Sequence, residues 1–147
     1  MFLPGRVLSW SGIVRPAGIG AAQAAGMLVG ASGAMLALWC IATFILIGRG
    51  TPAPFDPPRR LVVVGPYRLV RNPMYIGAAL ALAGAALFYE SWALLSYCAA
   101  FALITHLFVV VYEEPALRAA FGDAYMRYCQ SVHRWWPKLK SGINDVA

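Results

Sequence analysis

Charged side chains are what this chain has least of. Asp, Glu, Lys and Arg make up 12% of its 147 residues, against 61% hydrophobic. Soluble domains carry about a quarter charged residues, so a water-borne globule is not the expected class. The scarcity is also uneven: no charge lies between Pro16 and Gly48, and only Glu90 lies between Asn72 and Tyr112. Acidic residues are scarcer still, 6 against 12 basic, and the resulting +6 falls at the ends of the apolar runs. That layout sets basic side chains at lipid headgroups. It does not make the basic, aromatic-interleaved face on a soluble scaffold that nucleic acid requires, and no nucleic-acid partner is expected.

Cysteine is equally sparse. Cys40, Cys98 and Cys129 are odd in number and far apart, with no Cys-x-x-Cys and no Cys/His spacing. A disulfide framework and a zinc site are therefore not expected, and no other metal site is. Cys40 and Cys98 read as small apolar packing residues. A secretory leader is not expected either, because Arg6 is followed by Ser9, Trp10, Gly12, Arg15 and Pro16 instead of an apolar core. Residues 1–16 are too short to span, and Phe2, Leu3, Leu8 and Trp10 suit the interface.

What the chain does have is hydrophobic length. Ala17 to Gly48 is uncharged; a helix crosses the hydrocarbon with about 20 residues, so this is one long or tilted span. Within it Ala22, Gly26, Gly30 and Ala34 recur every fourth residue. Such a stripe of small side chains lets another helix approach closely, and through Gly26 and Gly30 it offers a route to a homo-oligomer. Gly18-Ile19-Gly20 is no nucleotide loop, since no strand precedes it and the third glycine is misplaced.

A stiff connection follows. Thr51 to Pro58 holds four prolines in eight residues, which rules out a helix there and suggests an extended strap. Leu61 to Val64 is apolar but too short to cross, and Gly65-Pro66 makes a turn. Pro73 suits the first turn of a helix, where its missing N–H costs nothing. A second span then runs from Pro73 to Phe88 or Tyr89, a tight Tyr89-Glu90-Ser91-Trp92 turn follows, and a third span runs from Trp92 to Tyr112. Helices joined so tightly form an antiparallel hairpin, so Asn72 and Glu113 must lie on one side.

That side carries Arg49, Arg59, Arg60, Arg68 and Arg71, and then Arg118, Arg127, Arg134, Lys138 and Lys140; the other has Glu90, with Arg6 and Arg15 if the amino terminus is there. The positive-inside rule makes the arginine-rich face cytoplasmic and leaves the amino terminus on the opposite side. After Pro115, the residues Leu117, Phe121, Tyr125, Tyr128 and Val132 fall within an arc of about 80° at roughly 100° per residue. An amphipathic helix from Pro115 to Val132 is expected, closed by Trp135-Trp136-Pro137. The expected fold is an all-α integral membrane protein of one domain, with three transmembrane helices and a C-terminal interfacial helix.

Two polar knots stand at the shared face. One is Gly65 to Gly77, with Arg68, Arg71, Tyr67 and Tyr75; the other is Glu113-Glu114-Pro115. Arginines donate to a carboxylate or phosphate, glutamates accept from a ribose diol or an ammonium, and tyrosine rings face a flat base or a cation. Headgroup contacts and solvated glutamates would account for each knot separately. Their meeting at the mouth of one hairpin suits a zwitterionic, nucleoside-like cofactor. His106 lies two helical turns before Glu113 and reads either as a hydrogen-bonded core histidine or as a group that positions an acceptor or handles a proton.

The pattern Gly65-Pro66-Tyr67-x-x-x-Arg71-Asn72-Pro73-x-Tyr75-x-Gly77, then a hairpin, Glu113-Glu114, Phe121-Gly122-x-x-Tyr125-x-x-Tyr128 and a Trp/Pro end, resembles the isoprenylcysteine carboxyl methyltransferase family. These are membrane enzymes that use S-adenosylmethionine and share a C-terminal core with membrane phospholipid methyltransferases; the resemblance covers residues 49–137. It implies methyl transfer to a lipophilic or lipidated acceptor. It implies cofactor contacts at Arg59, Arg60, Leu61, Val62, Tyr67, Asn72, Pro73, Met74, Tyr75 and Glu113. Arg71 and Glu113 are the expected catalytic pair, holding the cofactor's polar ends, with His106 and Glu114 as candidates on the acceptor side. Two positions depart from the family: Asn72 stands where it usually has histidine, and Val109 where the eukaryotic enzymes have a substrate-binding arginine. Tyr128-Cys129-x-x-Val132 is also similar to the tail of membrane sterol reductases, which would imply NADPH. The alternative without catalysis is a small helical membrane protein that oligomerises through Gly26 and Gly30.

Overall fold

Backbone in an apolar run can satisfy its polar groups only by pairing along itself. The computed structural model describes residues 16–48 and 60–137, and all regular structure among them is helical. Helix α1 is Ala21–Thr43, continued by a π turn at Phe44–Gly48. A 3₁₀ turn at Gly65–Arg68 leads into α2, Pro73–Phe88, and then α3, Trp92–Phe108. A π turn at Val109–Glu113 joins α3 to α4, Glu114–Phe121, and α5 is Asp123–Ser131. The expected interfacial stretch before Pro16, the proline strap, Arg59 and the lysines of the tail lie outside the described residues.

Among the described residues two continuous helical runs are long and apolar enough to cross a membrane, Ala21–Gly48 with 28 residues and Trp92–Phe121 with 30. Helix α2 is apolar but has 16 residues, short of the roughly 20 that usually cross.

Helices α1 and α2 run antiparallel with their backbones in contact. A methyl built on Gly26 would lie 2.7 Å from the carbonyl oxygen of Gly84, and one on Gly77 would lie 2.8 Å from that of Gly33. Gln23 ties the far end, accepting from Gly20 N–H at 3.0 Å and donating to Phe88 C=O at 3.3 Å. The small-residue stripe is therefore occupied by α2 of the same chain, and its register differs from the four-residue repeat. Gly26, Gly30, Gly33 and Ala37 make the contact, while Ala34 is exposed. A four-residue step advances about 40° beyond a full turn, so two steps carry Ala34 about 80° off the face that Gly26 occupies.

At the hairpin turn Glu90 takes φ +47°, and Ser91 caps α3 by accepting from Leu94 N–H at 3.4 Å. The expected single helix Pro115 to Val132 is not what forms. The third helix runs without a stop through the glutamates to Phe121, with the π turn just ahead of Pro115. A widened turn there relieves the proline ring's clash with the preceding turn and its missing N–H. The break comes at Gly122, at φ +50°, a conformation that a Cβ opposes. Tyr125, Tyr128 and Val132 still join Leu117 and Phe121, but they close over Leu61 and Cys129 in a core of their own. A second core sets Val62 and Tyr67 against Cys40, with Leu36, Phe44 and Met74 around them. These two cores hold the connection ahead of α2 between α1 and the C-terminal helices.

Candidate active site

Because α3 is antiparallel to α2, both polar knots sit at one end of the bundle, and side-chain bonds join them. Glu113 and Glu114 are neighbours in a helix, so their carboxylates point about 100° apart and meet different partners. Glu113 Oε2 accepts from the Tyr75 hydroxyl at 3.1 Å. Glu114 turns to the C-terminal segment, where Arg134 grips it with two parallel bonds, Nε–Oε1 at 2.7 Å and Nη2–Oε2 at 2.9 Å. Arg71 Nη1 lies 3.2 Å from the same carboxylate and donates to Cys129 Sγ at 2.9 Å and to the Tyr125 hydroxyl at 3.5 Å. Among the described residues Arg71 Nε is buried with no hydrogen-bond partner. A buried guanidinium N–H without an acceptor is costly.

The segment after α5 folds back across the hairpin. His133 C=O accepts from Arg71 N–H at 2.9 Å, and Arg134 C=O from Asn72 Nδ2 at 3.5 Å. Trp135 Nε1–H donates to His106 Nδ1 at 3.1 Å, and the two rings lie 5.9 Å apart. The Tyr128 hydroxyl donates to Tyr67 C=O at 2.6 Å. Burial raises the pKa of the Tyr128 hydroxyl above the ordinary range. It does the same for Tyr67, helped by the nearby Cys40 thiol and Glu113 carboxylate. Both phenols therefore stay neutral, and that of Tyr128 serves as a hydrogen-bond donor.

On the other side of Tyr75 lies an open-sided cavity of about 420 Å³ between α2 and α3. Its walls are Ile76, Ala79, Leu80 and Ala83 on α2 and Cys98 and Ala102 on α3; Tyr75, Thr105, His106 and Trp135 stand at one end. Small residues at facing positions leave this space. Tyr75 thus belongs to both features, its hydroxyl on Glu113 and its side chain in the cavity wall.

Six of the residues expected at the site meet here. Arg71, Asn72, Tyr75, Glu113, Glu114 and His106 each touch one of the two polar knots, the returning segment or the cavity. Arg71 is joined to Glu114, however, and Glu113 to Tyr75. Leu61, Val62, Tyr67 and Met74 pack in the two cores, Pro73 is fully buried, and Arg60 and Arg68 are exposed. Arg134, Trp135, Tyr125 and Cys129 had no site role in the sequence reading. Their only signal there is an arginine beside a tryptophan pair after an amphipathic stretch, which reads equally well as a membrane anchor.

A family model described as phospholipid methyltransferase matches residues 21–124, more than half of the chain. No curated protein and no solved structure gives a match.

Proposed function

The chain belongs to the phospholipid methyltransferase family, and from that premise we propose that it moves a methyl group from S-adenosylmethionine to a lipophilic acceptor at the face that holds Arg71 and Glu113. The apolar helices and the family make it a membrane methyltransferase. The observation that carries the finer reading is Tyr75, which links the polar cluster on Glu113 to the apolar cavity between α2 and α3. A methyl donor soluble in water and an acceptor soluble in lipid need such a junction.

The residues suit the cofactor. The unpartnered Arg71 Nε is a donor for its carboxylate, and Glu113 is an acceptor for its ribose hydroxyls or its ammonium. When bound, S-adenosylmethionine supplies an electrophilic methyl on a positively charged sulfur. Such an in-line displacement needs alignment and the exclusion of water, and no nucleophile from the protein. Tyr75 fixes the Glu113 carboxylate by its hydrogen bond, and the neighbouring aliphatic wall keeps water out. Glu114, already held by two arginines, orients Arg71. Val109 is fully buried, so the position matching a substrate arginine in the eukaryotic relatives contributes packing and no charge.

We further place α2 across the membrane as the middle of three spans. Its 16 residues reach about 24 Å at 1.5 Å each, near the roughly 30 Å hydrocarbon core. Arg60, Arg68, Arg71, Arg118, Arg127 and Arg134 at one end against Glu90 at the other support a cytoplasmic site face. Helix α4 then carries the third span out past that surface, and α5, after the break at Gly122, lies along it.

The test is calorimetric titration of detergent-purified protein with S-adenosylhomocysteine and, separately, with NADPH. We expect the first to bind and Glu113→Ala to weaken it at least tenfold. NADPH binding without S-adenosylhomocysteine binding would move the chain to reductase chemistry.

A further inference from the structure

Nothing in the family match says what shape of acceptor the protein takes, but the α2–α3 cavity bears on it. A space of about 420 Å³ holds on the order of fourteen groups of roughly 30 Å³, the share of one water in the liquid. That is the bulk of one alkyl chain and well short of two. The walls away from the mouth are aliphatic or small: Ile76, Ala79, Leu80, Ala83, Cys98 and Ala102. Ala83 stands two turns along α2 from Tyr75, about 12 Å at 1.5 Å per residue, so the space is elongated along the helices.

Polarity is confined to the other end, and most of it is already committed. The Tyr75 hydroxyl donates to Glu113, and the Thr105 hydroxyl donates to Phe101 C=O at 2.8 Å. Trp135 Nε1–H can only donate, so His106 Nδ1 is an acceptor and the neutral ring carries its proton on Nε2. Among the described residues that Nε2–H has no hydrogen-bond partner, and His106 lines the cavity at this end. No carboxylate is among the described residues lining the cavity. Small residues build the space without loosening the fold, because α2 meets α1 through Gly77, Ala81 and Gly84 on another face.

We propose that this cavity is the acceptor subsite and that it takes a single-chain amphiphile. The chain lies between α2 and α3 with its tip toward Ala83 and Cys98. A head that accepts a hydrogen bond from His106 lies beside Tyr75. A diacyl lipid places at most one of its chains there and leaves the second outside. The proposal rests on the methyltransferase reading only in calling the occupant the acceptor.

The test uses the full chain in phosphatidylcholine vesicles with two photoactivatable probes, a diazirine-bearing hexadecanoic acid and a diazirine-bearing diacyl phosphatidylcholine. Adducts are mapped by peptide mass spectrometry. The single-chain probe is expected to label 79–83 and 98–102 and to be competed at least fivefold by unlabelled hexadecanoic acid. The diacyl probe is expected to spread over exposed residues such as Leu28, Met35, Leu103 and Ile104 without competition. Ala83→Phe and Ala102→Phe, from opposite walls, should each cut the competed labelling at least fivefold while leaving S-adenosylhomocysteine affinity within twofold, which also reports that they fold. Labelling that is not competed, that survives both substitutions, or that is as strong with the diacyl probe overturns the proposal. Competed labelling in a protein that binds no S-adenosylhomocysteine would uphold the cavity and remove the methyltransferase reading instead.

Discussion

At the residue scale the account turns on which carboxylate does what. Sequence spacing brings Glu113 and Glu114 to the hairpin's mouth but cannot divide their work, because one helical step sends adjacent side chains to different neighbours. In the fold Glu114 is the structural carboxylate, held by Arg71 and Arg134. Glu113, bonded to Tyr75, is the one proposed to meet the cofactor. Tyr75→Phe removes a single hydrogen bond and keeps the ring. It should weaken S-adenosylhomocysteine binding about three- to tenfold, the equivalent of roughly 0.5–1.5 kcal/mol, with little change in melting temperature. Arg134→Ala should do the reverse. Loss of a charge-assisted, two-pronged bond to a largely buried carboxylate should cost about 1.5–3 kcal/mol of stability, read as an earlier thermal transition in detergent.

At the scale of elements, the charge-free first stretch, the second broken only by Glu90, and Pro73 at a helix start are enough to place α1, α2 and α3 and to make the hairpin antiparallel. What they could not supply was partner choice. The small-residue stripe on α1 is visible in sequence, but Gly77, Ala81 and Gly84 on α2 are what it meets, and a 3.6-residue period decides that Gly33 joins it where Ala34 does not. The C-terminal helix departs from its sequence pattern for a similar reason. Its apolar arc passes through Gly122 unbroken in projection, while the backbone there takes a φ of +50°. The close approach of α1 and α2 gives a sharp prediction. Gly84→Val places side-chain atoms where the Gly30 backbone lies and should abolish monodisperse protein in size-exclusion chromatography. Gly18→Ala, which meets nothing within 4 Å, should elute as the parent chain does.

At the scale of the whole molecule, the helices gather every polar knot at one end and leave Glu90 with Trp92 at the other. The segment His133–Trp135 then crosses that end, bonding to Arg71, Asn72, Glu114 and His106. This closure was the least legible part of the sequence, since a chain reversal after α5 leaves no periodic trace and its contacts span 20 residues or more. The proposed orientation predicts that, in intact cells, an impermeant maleimide labels Glu90→Cys above the background of the parent chain. Asp123→Cys should be labelled only after permeabilisation. The opposite pattern would turn the site to the far side of the membrane.

The polar cluster around Glu113 and the apolar cavity meet at Tyr75, and there we propose that a methyl group passes into lipid. The most direct measurement is to incubate membranes containing the protein with S-adenosylmethionine labelled in its methyl group and count the label extracted into organic solvent. Label is expected in the organic phase, requiring the protein and falling at least tenfold in Glu113→Ala. Organic-phase label equal in Glu113→Ala and the parent chain, or no more than in membranes without the protein, would contradict that proposal.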